Sequence, residues 1–153
     1  VPVMEREEYF VAGLLHDLGK VPFGDEYSEV LTIAKKEQIP LVQVERELMG
    51  IDHQEVGLMI ADKWKLNPSI KECIAGHHHI EDVDESHRRQ TAIVALANIY
   101  INIFDIGYAG DIFPPEADVE KLLEASGMDW DDYSGARVDV EREIEKAQIF
   151  LQV

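Results

Sequence analysis

Apolar residues recur at helical spacing along almost the whole chain, and this periodicity limits the possible folds more than any other feature of the sequence. No run of alternating apolar and polar residues bounded by hairpin turns interrupts it, so an all-α fold is expected, built as a compact multi-helix bundle. Phe10, Val11, Leu14, Leu15 and Leu18 form a stripe at three- and four-residue steps, predicting a helix over 5–18 that Gly19, Pro22 and Gly24 end. Helices are also predicted over 26–37 and 42–49, the latter carrying its Glu and Arg residues outward; both read as scaffold. Asp52 followed by Glu55 resembles a capping box and opens a helix reaching Trp64 or Lys65, with His53, Val56, Gly57, Ile60 and Trp64 on its inner face. Asn67 and Pro68 start another, burying Ile70, Cys73, Ile74, His77 and His78. A central helix over 87–106 is apolar on nearly every side around Asn98, and helices over 116–125 and 137–151 complete the bundle.

At 153 residues the chain is long enough for about one ordinary domain with its own core, and 1–153 is read as one unit. The longest uncharged apolar stretch, 91–104, stops at Asp105, short of the roughly 20 residues that a membrane span needs. Thirty-one acidic against fourteen basic residues give a formal charge of -17, which repels nucleic acid and anionic lipid. The one cysteine, Cys73, has no partner for an internal disulfide, in keeping with a cytoplasmic protein, and its apolar stripe makes it core and not nucleophile. A start at Val1 instead of Met is read as the loss of upstream residues.

Against this background a few polar residues are out of place. His16, Asp17, His53, His77, His78 and Asn98 fall on or beside faces that should point inward, where an unpaired polar group costs several kcal/mol. Taken singly, each histidine reads as a half-buried imidazole bonded to a carbonyl. Together, imidazoles and a carboxylate from separate helices form a nitrogen and oxygen donor set suited to a divalent transition metal such as Fe, Mn, Zn or Ni. His16 and Asp17 sit about 100° apart around a helix, so both reach one cavity only from the helix end near Gly19. Lys20 is either a phosphate-binding cation or a base complementing the helix C-terminus. His79 and His87 read as solvated, as do the acidic runs 5–8 and 129–132.

The segment Ala12-Gly13-Leu14-Leu15-His16-Asp17-Leu18-Gly19-Lys20 resembles the His-Asp signature of the HD superfamily, whose members are typically metal-dependent phosphohydrolases. Asp52-His53-Gln54-Glu55-Val56-Gly57, the stretch from Trp64 to Pro68, Ile74 through His77-His78, and Ala97-Asn98 are similar in order and spacing to its HDOD branch. The resemblance implies an all-helical module of bacterial regulatory and signal-transduction proteins, with this chain as the larger, C-terminal part of the unit. It also implies that Asp17 bridges two metals, His16 serving the first and His53, His77 and His78 the second. No histidine precedes His16 in this chain, so the upstream ligand that the resemblance calls for is either in missing residues or absent, and the later aspartate position is filled by Asn98, a neutral and weaker ligand, which cripples the first site. The D-G-x-G-Y-P continuation of cyclic-dinucleotide phosphodiesterases is replaced after His78 by His79-Ile80-Glu81-Asp82-Val83, so that activity is not expected. The function expected is regulatory, through binding a protein partner or a small phosphorylated ligand. The alternative is a phosphohydrolase with Asp17 and Lys20 as its catalytic residues.

Overall fold

The computed structural model describes the backbone of residues 3–103, 110 and 116–151, and the side chains of 6–103, 110 and 118–146. Among these residues the chain is helical and contains no strand, as the periodicity predicts. In chain order come α1 (Val3–Leu15), a 3₁₀ stretch (Leu18–Glu26), α2 (Tyr27–Glu37), α3 (Leu41–Met49), α4 (His53–Lys63) and α5 (Pro68–Gly76). A short 3₁₀ turn (Ile80–Asp82), α6 (Glu85–Ile103), α7 (Glu116–Ser126), α8 (Trp130–Gly135) and α9 (Arg137–Leu151) follow.

Local chemistry sets the boundaries. The side chains of Asp52 and Asn67 accept the backbone N–H groups of Glu55 and Ile70, 2.9 Å each, so both expected caps are formed and fix where α4 and α5 begin. Gly50, at φ 73°, ends α3 in the left-handed conformation that a glycine adopts without strain, and its N–H bonds the Arg46 carbonyl. The chain thus turns within a few residues, and α4 begins at His53. Helix α6 packs on α1, α5 and α7, while α4 lies against α5 and the 3₁₀ stretch. The apolar core is divided. Val30, Ala34, Leu41 and Val44 fill the α2–α3 hairpin, Ala12, Cys73 and Val94 fill the α1–α5–α6 junction, and Leu96, Ile99, Leu122 and Tyr133 belong to a larger cluster around α6, α7 and α8. Cys73 is core, as expected: burial pushes its thiol pKa up, and Sγ lies 3.5 Å from the Thr91 hydroxyl.

Several expectations need correction. Helix α1 stops at Leu15, and Phe10 and Leu14 are 71% and 69% exposed while Ala12 is fully buried. Close approach of α1 to α5 and α6 places the small Ala12 against Cys73 and Val94, so the buried face is rotated away from the large side chains. Trp64 is exposed because α4 ends at Lys63 and leaves it in the cap. His79 and His87 are half-buried, not solvated. The short helix α8, opened by Asp129 accepting from the Asp132 N–H at 2.8 Å, falls in a stretch read as solvated surface. Phe104, Asp105 and Ile106, the expected end of the central helix, lie outside the described residues, as do the side chains at 147–151 of the expected last helix. The correction with most consequence concerns α3: Glu45 points inward and is fully buried.

Candidate metal centre

Three chain segments meet where α1, α4 and α5 have their ends. The 3₁₀ stretch that follows α1 lies so close to α4 that a Cβ on Gly19 would stand 1.8 Å from the His53 carbonyl oxygen and 2.6 Å from the Gly57 nitrogen. Only glycine fits there, and this contact brings His16 and Asp17 over the first turn of α4. Helix α4 is held on α5 by the Gln54 amide, which donates to the Ala75 carbonyl at 2.6 Å. It is anchored at its start by Arg46, whose Nη2 lies 2.6 Å from the buried carboxylate of Asp52. His53 is the first residue of α4, and His77 and His78 follow the last residue of α5.

Three of the imidazoles share one orientation. His16 donates from Nδ1 to the Gly13 carbonyl at 2.7 Å, and His77 from Nδ1 to the carbonyls of Cys73 and Ile74 at 3.0 and 3.1 Å. His53 Nδ1 lies 2.7 and 2.8 Å from the two oxygens of Glu45. Carbonyl and carboxylate oxygens accept, so the Nδ1 proton belongs to each ring and a lone pair is left on each Nε2. Those lone pairs face one another. His53 Nε2 and His77 Nε2 are 3.2 Å apart, and Asp17 Oδ1, another acceptor, stands 3.5 and 3.7 Å from them. Asp17 Oδ1 and His16 Nε2 are buried and make no hydrogen bond among the described residues. Such a set repels itself unless a cation, either a shared proton or a metal ion, lies among the acceptors. Burial, followed by the influence of His78, His53, His16 and Lys20, holds the His77 pKa well below the ordinary histidine range, so this ring is neutral and suited to be a ligand at neutral pH.

The donor set fits a divalent transition metal. Metal–nitrogen bonds of about 2.0–2.1 Å separate neighbouring donors by about 3.0–3.4 Å, close to the spacings found here. One ligand atom each from His53, His77 and His78 lies within 4.8 Å of the others, and the same holds for His16, Asp17 and His77. All five residues expected as ligands are therefore brought together, with His77 common to both groups. Lys20 also arrives, its Nζ 2.8 Å from Asp17 Oδ2. Asn98 is buried on α6, where its side-chain and backbone oxygens accept from Asn102 at 3.0 and 2.8 Å. It lines a cavity of about 440 Å³ together with His77, His78, Leu41, Arg46 and Leu122, so a space the size of a small ligand adjoins the histidines.

Glu45 is the site residue missed in the sequence. Its carboxylate accepts from the His53 backbone N–H at 3.0 Å and from the Tyr27 hydroxyl at 2.5 Å as well as from the His53 ring. A signal was present: Glu45 lies four residues after Leu41 and next to Val44, on the apolar stripe of α3.

An all-α body carrying the His-Asp turn and the His-His pair defines the class. The HDOD domain family model matches residues 1–80, more than half of the 153 residues, and the chain belongs to that family. An uncharacterized protein of Treponema pallidum (strain Nichols) is 30% identical over 100 residues, which are 63% of this chain and 20% of that protein. The crystal structure of an HDOD domain protein of unknown function from Geobacter sulfurreducens is similar at 31% identity and a TM-score of 0.69, covering 90% of this chain and 50% of that one. The chain thus spans a fifth of the first relative's length and half of the second's.

Proposed function

We propose that this chain acts as one HDOD unit in a cytoplasmic regulatory protein, with a divalent transition metal at the histidine cluster and a protein partner or small phosphorylated ligand as the species it binds. The observation that carries the metal reading is the convergence of the His53 and His77 Nε2 lone pairs on Asp17 Oδ1, with His16 Nε2 3.4 Å from Oδ2 of the same carboxylate, an arrangement of acceptors that calls for a cation. Asp17, His53 and His77 would hold the ion, flanked by His16 and His78. A metal bound there supplies a Lewis acid toward a phosphate oxygen. Lys20, already on the outer oxygen of Asp17, places a positive charge beside the same point in a strongly acidic chain. The adjoining cavity gives a ligand access to His77 and His78.

Elemental analysis of full-length protein purified without chelators tests the metal; close to one equivalent of Fe, Mn, Zn or Ni is expected, and its absence after reconstitution with each would end this reading. A binding module is expected to release no phosphate from a panel of nucleotides and phosphoesters. Release that depends on His16 and Asp17 would replace regulation by hydrolysis, with Asp17 and Lys20 in catalytic roles.

A further inference from the structure

We infer that Glu45 is a positioning residue that fixes the His53 ring so that Nε2, and not Nδ1, is offered to the metal. The inference rests on the metal reading for its consequence, but its geometric content stands on hydrogen bonds alone.

Glu45 is fully buried, a costly place for a carboxyl group unless its oxygens are satisfied. Three donors converge on them: the Tyr27 hydroxyl on Oε1, the His53 backbone N–H on Oε2, and the His53 ring through Nδ1 to both. Two of these come from His53 itself. The carboxylate therefore grips the backbone and the ring of one residue and removes the ring's freedom to flip, because a flipped ring would lose its bond to Glu45. An anionic acceptor on Nδ1 keeps the proton there and makes Nε2 the more basic donor toward a metal, the arrangement by which carboxylate–histidine pairs tune metal sites. Tyr27, stacked on Phe23 with ring centroids 5.7 Å apart, ties the same carboxylate to the start of α2. The α2–α3 hairpin, expected to be scaffold, thus reaches the His53 ring through Glu45.

The substitution that separates this role from mere packing is Glu45→Gln, which keeps the shape and replaces one acceptor oxygen by an amide donor. Nitrogen-15 NMR of the histidine rings in metal-free full-length protein reads the proton position directly. His53 Nδ1 is expected to carry a proton in the natural sequence, and the proton is expected to move to Nε2 in E45Q. Titration with cobalt(II) should show a loss of affinity of about 10- to 100-fold in E45Q. Tyr27→Phe, which leaves both bonds to His53 in place, should keep the Nδ1 proton. An unprotonated His53 Nδ1 in the natural protein overturns the inference without any variant, and so does an E45Q protein with the Nδ1 proton retained and cobalt affinity within twofold. If the natural protein takes up no cobalt(II), the metal reading fails, while the NMR result still decides whether Glu45 sets the ring.

Discussion

The histidine junction and the α6–α8 cluster are both buried, yet they solve burial in opposite ways. Around Leu96, Ile99 and Leu122 the interior is hydrocarbon, and its polar tip, the Tyr133 hydroxyl, donates to the Leu96 carbonyl at 3.2 Å. At His16, His53 and His77 each ring is anchored on its outer nitrogen, and the inner nitrogens are left facing other acceptors. One region is complete in itself. The other is complete only when something positively charged is added, which is the physical difference between a core and a site.

The contrast is sharpened most strongly by Leu96→Ala. Truncation of this buried side chain should cost about 2–5 kcal/mol in urea unfolding and leave metal uptake per folded molecule unchanged; a parallel loss of uptake would mean that the two regions are not independent. Metal itself should produce the next effect. At a free concentration about one hundred times its Kd it should stabilise the protein by about 2.7 kcal/mol, read as a rise in Tm. His77→Leu should abolish that rise while leaving the metal-free protein within about 1 kcal/mol of the original, because an apolar group of similar size replaces one member of a repulsive set. A marked fall in metal-free stability would instead mark His77 as core.

Gly19→Ala should cost about 1–3 kcal/mol, because its methyl group meets the His53 carbonyl, and should also impair metal uptake by lifting the His16–Asp17 turn off α4. The same substitution at the exposed Gly135, where a methyl group meets nothing within 4 Å, should leave uptake intact. The smallest effect belongs to Tyr133→Phe, expected to cost about 1 kcal/mol at neutral pH through the lost hydrogen bond. Burial, with Tyr100 beside it, pushes the Tyr133 pKa up to about 12, against about 10 for an exposed tyrosine. A raised folded-state pKa gives stability that is present in full below about pH 10 and lost as the pH climbs toward 12, so the phenylalanine variant should show a shallower alkaline decline in stability.

Much of the site was legible in the sequence because polar residues stood where helical spacing demanded apolar ones. His53 was placed by the Asp52 cap, His77 and His78 by the Asn67–Pro68 start, and the His16–Asp17 pair by the break near Gly19. Glutamate in an amphipathic helix normally faces water, which is why the sequence places Glu45 outward although its stripe points the other way. The sequence places Phe10 and Leu14 inward for the converse reason, since periodicity finds a face but not how closely a neighbour can approach it.

Helices, caps and the chemical identity of the donor set follow from interactions within a few residues of one another, and the sequence alone determined them. Which nitrogen of His16, His53 and His77 faces inward, which carboxylate sits behind His53, and that these lone pairs converge were decided only by the tertiary structure. Those outcomes depend on contacts between residues as far apart as Asp17 and His77, and on a buried setting in which a ring can turn only one side toward its acceptor.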